Sequence, residues 1–161
     1  MLSKKERYER YLKEEYVPAH EWYLESDSKA WIEKNIPTLT ELLVKNYRQI
    51  QPAVYCIKFN DIPVYVGEAL KASDRLIVHA HNLYRKPLDY FGVEEQEISS
   101  GKVEIQMTIL KDNINDYELR KQNELLCIDQ LGPLLHKNDG TDRCIPRKNR
   151  RGVIVRKIIN K

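Results

Sequence analysis

Two strand-forming runs around a short turn narrow what this chain can become more than any other feature. Ala53-Val54-Tyr55-Cys56-Ile57-Lys58-Phe59 is rich in β-branched and aromatic residues, Asn60-Asp61 is a turn signal, and Ile62-Pro63-Val64-Tyr65-Val66-Gly67 is a second run of the same kind. Such side chains suit a pleated, half-buried surface, and Asn and Asp accept turn dihedrals that bulkier residues avoid, so the segment predicts a β-hairpin. A lone hairpin is marginal in water and must be covered by other elements.

The flanking sequence supplies that cover. Upstream, residues 3–16 carry Tyr8, Tyr11, Leu12 and Tyr16 at helical spacing, a second helical stretch runs through Trp31 and Ile32 to Pro37, and a third spans Thr38 to Tyr47. Downstream, Lys71 to Arg85 repeats Leu76, Ile77, Ala80 and Leu83 on one face, with Ser73 or Asp74 as candidate N-cap. A loop from Gly92 to Gly101 precedes a third strand over Val103 to Leu110. A last helix then follows, with Asn115 at its N-cap and Glu118 three residues on, and Leu125, Leu126, Ile128 and Leu131 as its buried side. Gly132-Pro133 ends it. The expected fold is therefore α/β, a small, mainly antiparallel central sheet flanked by helices. It divides into a helical N-terminal extension over residues 1–50, a core over residues 52–139 and a basic C-terminal segment over residues 140–161.

Composition excludes several classes. Of 161 residues, 42% are hydrophobic and 32% charged, the balance of a globular chain, and the apolar runs are far shorter than the roughly 20 residues a membrane span needs. The charged start, Lys4-Lys5-Glu6-Arg7, runs on where a signal peptide would turn apolar, so the chain reads as cytoplasmic. Cys56, Cys127 and Cys144 are an odd number at wide spacing with no CxxC pair, which argues against a disulfide framework or zinc module and leaves them as small buried hydrophobes. Residues 143–161 carry eight basic and no acidic side chains, which leaves −5 for the rest of a chain whose net charge is +3. A basic end on a mildly acidic body suits docking on a polyanion, where neutralised phosphates release counterions.

Five polar side chains fall at defined places on this plan. Tyr55 and Tyr65 lie on the paired strands, Arg75 and His79 lie one helical turn apart on the next helix, and Glu124 lies mid-way along the last. Each has an ordinary structural role to fall back on. The tyrosines suit a half-buried strand, and Glu124 suits an ion pair with Arg120 or Lys121 on its own helix. Their joint order and spacing is what makes the set informative.

With Ala53-Val54-Tyr55 and Tyr65-Val66-Gly67 standing for the name-giving tripeptides, Arg75 and His79 for the following Arg-x-x-x-His pair, and Glu124 for the later glutamate, residues 52–139 resemble the GIY-YIG endonuclease family. The family often has an asparagine beyond the glutamate, for which Asn138 is the best candidate, with Asn123 and Asn149 competing. Ala53-Val54 departs from the usual Gly-Ile.

The resemblance implies a Mg²⁺-dependent (or Mn²⁺-dependent) endonuclease that hydrolyses DNA phosphodiesters, of phage, mobile-element or restriction type. It casts Glu124 as the metal ligand, Tyr55 as general base toward the attacking water, Tyr65 and His79 as its polar network, and Arg75 as the phosphate clamp. A hard cation suits a carboxylate plus waters, and a forked guanidinium suits phosphate oxygens. Lys58 and Lys71 near the site, and Arg147, Lys148, Arg150 and Arg151 in the basic end, are the candidate DNA contacts. One active site cuts one strand, so double-strand cleavage would need a homodimer or successive cuts. The alternative is a catalytically silent nucleic-acid-binding protein that keeps the fold.

Overall fold

The computed structural model describes Tyr23, residues 26–46 and residues 52–134. Within them α1 (Ser28–Asn35) and α2 (Pro37–Asn46) precede the hairpin β1 (Ala53–Phe59) and β2 (Ile62–Ala69). Then come α3 (Ala72–Arg85), α4 (Pro87–Phe91), α5 (Glu95–Ser99), β3 (Ile105–Lys111) and α6 (Tyr117–Leu131). The result is a small mixed α/β fold, a three-stranded antiparallel sheet in the order β2-β1-β3 with helices against it.

The hairpin turns as the sequence predicts. Asn60 and Asp61 both take positive φ, 52° and 67°, the left-handed pair that matches the twist of the two strands. Their polar groups also reach the third strand. Asn60 Oδ1 accepts from the Glu104 amide, and Asp61 and Gln106 exchange two hydrogen bonds, so the turn is fastened to the start of β3.

Every residue of β1 except Lys58 is buried, because both faces of this central strand are covered. Alternation divides its side chains. Ala53, Tyr55, Ile57 and Phe59 face the main core, which Ile32, Ile36 and Leu39 of the front helices share with Leu76, Ile77 and Leu83 of α3. Val54 and Cys56 face the other way and pack with Val66 against Cys127 and Ile128 of α6. The sheet thus has α1, α2 and α3 on one face and α6 on the other, where α6 lies chiefly along β2. Among the described residues no helix is long and apolar enough to cross a membrane.

Several local expectations need correcting. The N-cap position of α3 is Lys71, so Ser73 and Asp74 sit inside the first turn and are buried. The stretch from Gly92 to Gly101 is not all loop. Glu94 and Glu97 form a capping box that starts α5 and tucks Ile98 into the core. The last helix is capped by Asp116, whose Oδ2 accepts from the Leu119 amide at 2.8 Å, and not by Asn115.

Its buried face also differs. Leu125 and Leu126 are exposed, and the residues turned inward are Arg120, Glu124, Cys127 and Ile128. His81 is half-buried, with Nδ1 3.0 Å from Ser28 Oγ where α3 meets α1.

Candidate functional site

Tyr55 pairs with Gly67 across the hairpin, so the two share a face, and Tyr65 shares it as the residue two before Gly67. The glycine makes room. A Cβ at position 67 would stand 2.5 Å from Tyr55 Oη, 2.7 Å from its Cζ and 3.0 Å from Tyr65 Oη. Both phenols therefore lie over the bare backbone of β2, an edge strand of the sheet, with their hydroxyls converging on one small space.

α3 brings the third member. His79 lies three residues beyond Leu76 on the stripe that α3 buries, and its Nε2 is 2.9 Å from Tyr55 Oη. The rings pack as a triangle, with centroids 6.1 Å apart for Tyr55 and Tyr65, 5.6 Å for Tyr55 and His79, and 5.1 Å for Tyr65 and His79. Phe91 closes the far side of the imidazole, 6.2 Å away and edge-on. Tyr55, Tyr65 and His79 are each no more than 1% exposed.

Burial, reinforced by the charge of Arg75, pushes the His79 pKa down to about 3, so the ring is neutral at physiological pH. A neutral imidazole has one N–H, and Nδ1 has no hydrogen-bond partner among the described residues. A bare ring lone pair is the less costly group to leave unpaired, since orphaned buried N–H groups are the rarer kind. We therefore assign the proton to Nε2, where it donates to the Tyr55 oxygen. A donor in that place stabilises negative charge developing on the phenol.

Arg75 is half-buried one turn before His79, and Lys71, also half-buried, lies one turn before Arg75 with its carbonyl accepting from the Arg75 amide. These two cations stand at the N-terminal end of α3, with Arg75 close enough for its charge to act on His79. Lys58 does not join them. It lies beyond Cys56 on β1, close enough for its charge to act on that thiol, on the opposite face of the sheet.

Glu124 also comes from the other side. α6 turns it inward with Cys127 and Ile128, and its side chain is 2% exposed. Lys121 Nζ lies 2.8 Å from its Oε1, off the hydrogen-bonding direction. This is the intrahelical pair that a helical glutamate usually makes. The structure thus gathers Tyr55, Tyr65, His79 and Arg75 on one side of β2 and holds Glu124 on the helix that covers the other. Asn138, Arg147, Lys148, Arg150 and Arg151 lie outside the described residues. Of the rivals to Asn138, Asn123 bonds the Leu119 carbonyl of its own helix.

Two buried residues escaped the sequence reading. Glu68, which follows Gly67, is a strand residue of β2, and its Oε2 accepts from Arg120 Nε at 2.7 Å. Arg120 is fully buried and also donates through Nη1 to the carbonyls of Ile114 and Asn115. No local pattern marks a buried arginine. A glycine inside a strand run does signal close approach, and that signal was legible at Gly67.

As a metal site the donors are sparse. Among the described residues no group of three His, Cys, Asp or Glu side chains is placed to hold an ion. Glu124, a buried carboxylate, is a hard oxygen donor, which suits a single contact to a cation that keeps most of its waters. Its lysine partner would have to be exchanged. The sulfurs do not compete, because burial raises the Cys56 thiol to about 11 and raises that of Cys127 as well. Compared with known protein families, curated proteins and solved structures, the chain finds no match.

Proposed function

We propose that this chain is a divalent-metal-dependent DNA endonuclease of GIY-YIG type. The observation that carries the reading is the Tyr55–His79 contact over Gly67, with the Tyr65 ring packed at a tilt against both and Arg75 one turn away. Three residues singled out by order and spacing in the sequence meet within one small volume, and the charge of the fourth, Arg75, acts on His79.

In this reading a phosphodiester at the rim of β2 is met from both sides. Tyr55 takes the proton of the attacking water, and the Nε2–H of His79 bears on the charge that gathers on the phenol oxygen. Tyr65 holds the Tyr55 ring against the glycine. Arg75 offers its fork to the phosphate oxygens, with Lys71 beside it. Glu124 would hold Mg²⁺ or Mn²⁺ in place of Lys121. A cation so held supplies Lewis-acid stabilisation of the phosphate and of the leaving oxygen. DNA is the proposed partner, with the basic C-terminal segment as further contact and a homodimer as the arrangement for cutting both strands.

One observation favours the rival reading, a nucleic-acid-binding protein that has kept the fold without the activity. The two phenols and the imidazole are buried, and Glu124 is paired with Lys121. Incubation with supercoiled plasmid and Mg²⁺ or Mn²⁺ separates the two. We expect nicking by wild type, a loss of about 10²–10³ in rate for Arg75→Ala, and no detectable cleavage by Tyr55→Phe or Glu124→Ala. A wild type that binds DNA and cleaves no form of it would establish the rival. A Glu124→Ala variant as fast as wild type would remove the proposed mechanism.

A further inference from the structure

The rotation of α6 about its own axis is not explained by its apolar residues. At about 100° per residue, Leu119, Leu125, Leu126, Cys127, Ile128 and Leu131 are spread around the whole circumference, so turning the helix exchanges one set of buried apolar side chains for another at little net change. In the fold, Leu119 is 50% exposed and Leu126 58%, while Arg120 and Glu124 are buried. Hydrophobic burial alone does not select this rotation over one that brings those leucines inward.

The polar contacts do discriminate. Arg120 makes its 2.7 Å contact to Glu68 on β2 and its 2.9 Å and 3.3 Å bonds to the Ile114 and Asn115 carbonyls, and all three fix one angular position of the helix. Both charged side chains are almost wholly removed from water, at 0% and 4% exposure. A buried pair of this kind adds little stability over an apolar pair of similar volume, but it strongly disfavours arrangements that part it.

The geometry points to Arg120 and Glu68 as positioning residues. The pair selects the rotation of α6 on the sheet and so turns Glu124, one helical turn beyond Arg120, toward β2 and not toward solvent. Glu68 directly follows Gly67, so the same pair ties the strand beneath the two phenols to the helix that carries the carboxylate. The rotational role stands on the packing, and its consequence for catalysis rests on the nuclease reading.

The test replaces the pair with an apolar one, Glu68→Met/Arg120→Met, because removing either partner alone strands a buried charge and risks the fold. Maleimide labelling with peptide mapping reports the helix, since Cys127 is 4% exposed on its inward face, while fully buried Cys56 on the central strand reports the sheet. We expect the double variant to melt no lower than wild type and to keep Cys56 protected, with Cys127 labelling at least about tenfold faster as α6 samples other rotations. A folded double variant with Cys127 as protected as in wild type would overturn the inference. So would a double variant that no longer folds, since the pair would then be holding the chain together and not choosing a rotation. In a cleavage assay the same variant should need about tenfold more Mg²⁺ for half-maximal rate, with the KM for DNA retained. A wild type that cleaves nothing would remove the nuclease reading and leave the labelling result standing.

Discussion

Replacing Gly67 with alanine sets two effects of opposite sign against each other. Gly67 lies in an extended strand and is not among the residues of positive φ, so its backbone accepts a side chain. A glycine-to-alanine change at such a position ordinarily stabilises by about 0.4–1 kcal/mol, because the unfolded chain loses freedom. Here the new methyl would arrive 2.5 Å from Tyr55 Oη and 2.7 Å from Cζ. The phenol cannot simply swing aside. His79 Nε2 holds its oxygen at 2.9 Å, the Tyr65 and His79 rings flank it, and it is fully buried. Overpacking of this kind costs about 1–3 kcal/mol, so the clash should win, with a net loss of roughly 1–2 kcal/mol. At about 2–4 °C per kcal/mol for a chain of this length, the melting temperature should fall by roughly 2–8 °C.

Urea unfolding in a double-mutant cycle with Tyr55→Leu isolates the cause. Without the ring, the alanine should be neutral or mildly stabilising, and the coupling between the two sites should exceed about 1 kcal/mol. A Gly67→Ala protein as stable as wild type, or one that loses the same amount in both backgrounds, would show that the glycine does not serve the tyrosine.

Three further outcomes are expected. Because the His79 pKa falls from 6.5 to about 3 on folding, the unfolded chain takes up a proton between those values that the folded chain refuses. This group therefore lowers stability as pH falls through that window, by up to about 1.4 kcal/mol per pH unit, and the decline in urea midpoint from pH 6.5 to pH 4 should be shallower in His79→Gln. Asp116→Ala removes the side-chain cap of α6 and should cost about 0.5–2 kcal/mol, while Asn115→Ala stays close to neutral; equal losses in urea titrations would contradict the capping assignment. Truncation after Asp142 removes eight positive charges, and it should weaken DNA binding and flatten its dependence on salt. An unchanged slope of log Kd against log salt would show that this segment does not touch phosphate.

The sequence by itself determined what local chemistry can determine. The strand runs and Asn60-Asp61 specified the hairpin and its left-handed turn residues, since both depend on side-chain shape and on dihedrals that few residues accept. The spacing from Arg75 to His79 placed both on one face of α3, because a helix fixes that relation wherever it packs. A glycine in a strand run is also a local signal of close approach, one that the expectations above did not use. Tertiary structure decided what lies across that glycine and how deeply it is buried. It also decided the face of α6. Apolar residues all around a helix carry no angular information, so Leu125 and Leu126 were read as inward and proved exposed, while the inward positions fell to Arg120 and Glu124. That outcome depends on Glu68, fifty-two residues earlier in the chain, and only folding brings the two together.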